Sequence, residues 1–300
     1  MIRYMPTSPI PSRTAIAADG STFAPGLRLL PGGARQDVER LYLVLRTLDD
    51  LADEDDPRAS ERVHAVECWA RDRRADTART GALLEIDLPD TPETRALSEI
   101  ERRHPLARAA VLQFCEGMRH DIARETVDTE EDFTRYCQQA GGSVGILLTN
   151  VLGVAGTSAE TKREAETKMA TLGRAMQVTN ILRDIDEDLS HDRVYIPRAI
   201  IERFGFPAPG ARKALLRELI AEADALYEQG LGAIPLLRCG RRAMALSAAL
   251  YREILRQIER EGFGVNPGRV VVPAWRTHRL IAKHRLLQSK ASTLTRGRSR

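Results

Sequence analysis

The chain has 300 residues, 43% apolar and 29% charged, with a mean hydropathy of −0.32. That composition fits a globular chain with a substantial core and excludes a disordered or multi-span membrane protein. Net charge is +3, but residues 276–300 hold eight Lys/Arg and no acid; the basic surplus is a tail, not a nucleic-acid-binding body, and no nucleic-acid partner is expected.

Residues 1–20, interrupted by Pro6, Pro9 and Pro11 and without an apolar signal core, read as a flexible leader. Beyond them, apolar residues recur at three- and four-residue steps. They predict helices over 35–54, 60–76, 91–125, 129–154, 159–189, 209–229, 238–261 and 273–289. Thr129, followed by acids, reads as a helix start, and Pro105 begins or kinks a helix. The strand-like stretch is Arg269-Val-Val-Val-Pro273. The expectation is a single all-α domain over 21–289 followed by a basic tail, 290–300. Cys68, Cys115, Cys137 and Cys239 are far apart and have no metal-binding spacing, which points to thiols in a reducing cytoplasm.

Two acidic stretches carry the chemistry. In Tyr42-Leu-Val-Leu-Arg46-Thr-Leu-Asp49-Asp50-Leu-Ala-Asp53, Asp49 and Asp53 are four apart and share a helix face with Tyr42 and Arg46. Six acids in the eight residues 49–56, with no base among them, repel one another and call for a cation from outside. In Gln177-Val-Thr-Asn180-Ile-Leu-Arg183-Asp184-Ile-Asp186-Glu187-Asp188, Asp184 and Asp188 repeat the spacing. Gln177 and Asn180 lie on the same face as oxygen or amide ligands. Each stretch alone also reads as a solvated helix end. Two facing DxxxD helices could hold Mg²⁺ ions that share a diphosphate, with Arg or Lys on its remaining oxygens.

These two stretches resemble the aspartate-rich motifs of the squalene/phytoene synthase family of head-to-head isoprenyl transferases. The second, with its DIDED form, is especially like that of bacterial presqualene diphosphate synthases. Between them, Tyr136-Cys-Gln-Gln-Ala-Gly-Gly142-Ser-Val-Gly145 resembles the family's tyrosine–cysteine and glycine helix. Thr22-Phe23, Leu29-Leu30-Pro31 and Arg35 resemble its N-terminal motif. Tyr251 to Phe263 and Arg269-Val270 resemble its last helix and turn. The likeness spans about residues 20–285.

The resemblance implies an all-α isoprenoid-synthase fold around a central apolar cavity. It implies Asp49, Asp53, Asp184 and Asp188 as Mg²⁺ ligands (Mn²⁺ as a substitute). Arg46, Arg183, Arg193, Gln177 and Asn180 would bind diphosphate, Tyr136 would be the catalytic tyrosine, and Tyr42 and Arg46 would join it. The implied reaction condenses two farnesyl diphosphates into a presqualene- or squalene-type C30 product. Phytoene formation from geranylgeranyl diphosphate is the runner-up, and single-substrate cyclisation on the same fold is a further alternative. The sequence contains no dinucleotide fingerprint, so NADPH is not supported. The basic tail adds an expectation of peripheral contact with the inner face of a membrane; oligomeric state is not legible.

Overall fold

Thr129 starts a helix as its sequence predicts: its hydroxyl accepts from the Asp132 amide at 3.0 Å while the Asp132 carboxylate accepts from the Thr129 amide at 3.0 Å. Thr91 and Thr94 form the same reciprocal cap, and Ser158 caps the longest helix. The computed structural model describes residues 22–72 and 89–284. The expected leader 1–20 and tail 290–300 lie outside the described residues, as do parts of the helices expected over 60–76 and 273–289.

The helices run α1 (Ala24–Leu27), α2 (Gly32–Asp53), α3 (Ala59–Arg71), α4 (Pro92–Glu101), α5 (Arg108–Ala123), α6 (Glu130–Cys137), α7 (Ser143–Leu152), α8 (Ala159–Ser190), α9 (Arg198–Phe204), α10 (Lys213–Gly230) and α11 (Arg241–Arg260). A helix over residues 274–284, α12, follows. No strand occurs among the described residues; the valines at 270–272 run extended, tied by the Val270 amide to the Arg183 carbonyl at 3.2 Å. No described helix is long and apolar enough to cross a membrane, and the four cysteines are unpaired.

At 32 residues α8 spans about 48 Å and is the central strut, packed by α7, α10 and α11. Met169, Leu172, Ala175, Val178, Leu182 and Ile185 repeat every three or four residues and are buried. Each large one contributes about 1.5–3 kcal/mol. Thr179 hydrogen-bonds the buried Tyr227 hydroxyl of α10 at 3.0 Å, which leaves neither polar group orphaned.

Two expected helices are interrupted. The stretch 91–125 breaks between Glu101 and Arg108, because Pro105 lacks an amide and clashes with a continuing helix. The stretch 129–154 carries a turn of π-helix at Gln138–Gly142. Its glycines lie where two helices nearly touch. A Cβ on Gly141 would sit 2.5 Å from the Gly173 carbonyl oxygen, and one on Gly145 would sit 2.1 Å from that of Met169. These glycines therefore set how closely the segment 138–145 approaches α8.

Candidate active site

Where α2, α7 and α8 meet, they leave a cavity of about 950 Å3, counted out to its open mouth. Along α2 the wall changes from Leu41 and Leu45 to Arg46 and Asp49. Along α8 it changes from Met169 and Leu172 to Gln177 and Asn180. Both helices thus turn from apolar to polar toward their C-termini. Phe23 and Tyr42, with ring centroids 6.0 Å apart, also line it, as does Tyr251.

The carboxylates stand where helices tolerate them least. Asp49 and Asp53 occupy the last turns of α2, and Asp184 and Asp188 the last two turns of α8. Neither helix has a basic residue in its last turn. The negative ends of two helix dipoles and four carboxylates reinforce one another. Burial in the cleft, then the Asp53 charge, pushes Asp49 up to about 8 against the pull of Arg46. Its side chain keeps 39% exposure and lines the cavity. Burial, then Asp121, lifts Asp53 to about 6. Burial, then Asp184 and Asp53, lifts Asp188 to about 8. Arg193 links the two acidic stretches: its amide donates to the Asp188 carbonyl at 2.9 Å and its guanidinium to the Asp53 carboxylate at 3.1 Å.

Each predicted arginine is already engaged. Arg46 pairs with Asp49 at 3.2 Å and Asp50 at 2.7 Å. Arg183 clamps Asp184 at 2.8 and 2.5 Å. Arg193 departs from the expectation of a diphosphate ligand. Its buried guanidinium donates to the Asp53 carboxylate at 3.1 Å, the Ala52 and Asp53 carbonyls at 2.7 and 3.1 Å, and the Tyr195 hydroxyl at 3.3 Å. With those donors committed it is a brace for Asp53.

Tyr136 is buried, 4% exposed, and donates to Asp121 at 3.3 Å. Tyr195 donates to the other Asp121 oxygen at 2.9 Å and stacks on Tyr136 at 5.0 Å. Burial, then the Asp121 charge, holds the Tyr136 phenol well above its ordinary range. A continuous path of hydrogen bonds thus runs Tyr136–Asp121–Tyr195–Arg193–Asp53. Neither Asp121 nor Tyr195 is among the site residues expected from the sequence; the signal for Tyr195 was its place two residues after Arg193. Arg269, read only as part of the terminal turn, reaches Asp184 at 3.1 Å and Glu187 at 3.3 Å.

Among the described residues no three His, Cys, Asp or Glu side chains converge into a ready-made cage for an ion. Mg²⁺ takes waters and substrate phosphate oxygens beside one or two carboxylates, so it does not require such a cage. The buried Asn180 Oδ1 has no hydrogen-bond partner among the described residues, an acceptor left over beside the second acidic stretch. The donor set therefore fits a divalent cation shared with a diphosphate.

An all-helical fold with two carboxylate-bearing helix ends over an apolar cavity defines the isoprenoid-synthase class. The sequence model of squalene/phytoene synthase matches residues 16–276, and the chain belongs to that family of head-to-head prenyltransferases, which are generally dependent on divalent metal. The phytoene synthase of Thermus thermophilus is 33% identical, over 93% of this chain and 94% of its own length. The 15-cis-phytoene synthase of Synechococcus elongatus is 29% identical over 88% of each. A ligand-bound dehydrosqualene synthase superposes with a TM-score of 0.75 at 26% identity, over 92% of this chain and 95% of its own. The all-α fold and the family expected from the sequence both hold.

Proposed function

We propose that the chain joins two molecules of geranylgeranyl diphosphate head to head, giving a C40 product of the phytoene type. Arg46, Asp49, Gln177 and Asn180 at the polar end of one apolar cavity, with Asp53, Asp184 and Asp188 on the same two helix ends, are the observation that carries the condensation. The C20 substrate rests on the names of the two sequence relatives. Farnesyl diphosphate is the second reading, favoured by the DIDED motif and by the dehydrosqualene synthase neighbour.

In this reading the four aspartates hold Mg²⁺, with Asn180 and Gln177 beside them. Bound Mg²⁺ supplies the positive charge that a departing diphosphate needs. Arg46 and Arg183 turn from their carboxylates to diphosphate oxygens, and Arg193 keeps Asp53 in place. The family resemblance makes Tyr136 the catalytic tyrosine; its proton is directed at Asp121 in the buried group behind Asp53. Phe23, Phe114 and the aliphatic walls keep water from an allylic cation.

The test is an incubation with Mg²⁺ and each diphosphate separately, without NADPH, followed by mass spectrometry before and after phosphatase. A C40 skeleton from geranylgeranyl diphosphate is expected. A C30 skeleton from farnesyl diphosphate alone would replace the substrate and keep the reaction. Only C15 or C20 products would replace condensation with single-substrate chemistry.

A further inference from the structure

Five large hydrophobic residues stand exposed among those described, and four of them belong to two adjoining stretches. Phe206 is 57% exposed, Val265 56%, Val271 68% and Trp275 57%. The loops that carry the first two are joined: the Gly210 amide donates to the Gly264 carbonyl at 3.0 Å. The Arg212 guanidinium donates to the carbonyls of Pro207 at 3.3 Å and Asn266 at 3.4 Å. The chain then passes Val271 and enters α12, whose second residue is Trp275.

Single exposed apolar residues are ordinary on a protein surface; four on joined segments are not. Their charged surroundings narrow the choice of partner. Residues 262–284 carry Arg269, Arg276, Arg279 and Lys283 and no acid. Along α12 the exposed positions are Ala274, Trp275, His278, Arg279, Ala282 and Lys283, one helical face with an indole at one end and bases along it. Arg276 and Arg269 are tied to Glu253 at 3.7 Å and Glu187 at 3.3 Å, whereas Arg279 and Lys283 point outward from the exposed face.

We propose that the face formed by Phe206, Val265, Val271 and Trp275 with Arg279 and Lys283 docks on an anionic lipid bilayer. Trp is at home where one end of a ring is apolar and the other wet, and Lys and Arg attract acidic headgroups. A second copy of this chain fits worse, because a two-fold interface would set this all-basic segment against itself. The face adjoins the candidate active site: Val270 is hydrogen-bonded to Arg183, and Arg269 to Asp184. Docking there would set the cleft beside the phase in which prenyl chains dissolve. The surface argument itself does not depend on which prenyl diphosphate is used.

The experiment is flotation of the full chain with vesicles of phosphatidylcholine mixed with phosphatidylglycerol, and with phosphatidylcholine alone. The native chain is expected to float with the mixed vesicles and much less with the neutral ones. R279E/K283E and V271S/W275S should each lower the bound fraction roughly tenfold. Circular dichroism melts should match the native chain, because these side chains are exposed, and turnover in detergent should be kept. Three results would overturn the proposal. The native chain could fail to float. Both variants could float as it does, which would move attachment elsewhere, with deletion of residues 285–300 as the check. Or the native chain could sediment as a dimer that V271S/W275S dissociates, giving the face to a second copy. Loss of turnover with flotation retained would count against the proposed reaction and leave the docking face standing.

Discussion

The two aspartate pairs are near copies in sequence and are held by different means. Asp53, at the end of α2, is braced by Arg193 from 140 residues away, and Arg193 is itself locked by two carbonyls and the buried Tyr195–Asp121–Tyr136 group. Asp184, on α8, is held by its neighbour Arg183 and by Arg269, which is half exposed on the extended segment before α12. Asp53 is thus tied to the interior through the buried Arg193. Asp184 shares its tether with a half-exposed group that can leave. One rigid wall and one adjustable wall suit a site that must admit a diphosphate and then enclose its charge.

The largest effects should come from the carboxylates themselves. Asp49→Asn and Asp188→Asn should each lower kcat by about a thousandfold or more, since each removes charge from a metal–diphosphate site. Steady-state turnover at saturating Mg²⁺ measures this, and near-native rates in either would remove that helix end from the site.

The contrast between the walls is sharpened by their braces. Arg193→Gln should cost about a hundredfold in turnover and raise the Mg²⁺ concentration for half-activity, because Asp53 loses its fixed direction. Asp121→Asn should cost about tenfold in kcat with little change in KM, since it frees both phenols without touching the diphosphate arginines. Arg269→Ala should leave kcat close to native and raise KM only a few-fold. If Arg269→Ala costs as much as Arg193→Gln, the two walls are equally built and the contrast fails.

The smallest effect is on stability against pH. Asp49 and Asp188 titrate near 8 and Asp53 near 6 in the folded chain, all above the ordinary carboxylate value of about 4 in the unfolded one. The metal-free fold therefore holds more protons than the unfolded chain. This contribution is complete below about pH 4 and is lost as pH rises through 6 to 8. Melting temperature without metal should fall between about pH 5 and about pH 9, and Mg²⁺ should raise it more at the alkaline end. A metal-free melting temperature that rises over that range would mean the acids are better solvated than the cleft geometry implies.

Much of this was legible in the sequence. The three- and four-residue apolar steps marked α2, α8 and α11, and Thr129 announced α6. The four-residue spacing of the acids placed each pair on one helix face, and their lack of interleaved bases pointed to an outside cation. What stayed hidden depends on approach in space. The π-turn at Gln138–Gly142 lies beside a packing contact with Gly173 that no local pattern encodes. The short α1 and α9 are held by neighbours rather than by their own periodicity. Arg193 entered as a diphosphate ligand through the family resemblance; only the fold shows its donors directed at Asp53 and two carbonyls. Tyr195 and Asp121, 74 residues apart, meet only in three dimensions.

The central claim is that both helix ends act on one metal–diphosphate unit. Calorimetric binding of inorganic pyrophosphate, with and without Mg²⁺, tests it without turnover in native protein, Asp49→Asn and Asp188→Asn. Binding that needs Mg²⁺ and collapses in both variants is the expected result. Pyrophosphate that binds equally well without Mg²⁺, or that is lost from one variant and untouched in the other, would contradict it.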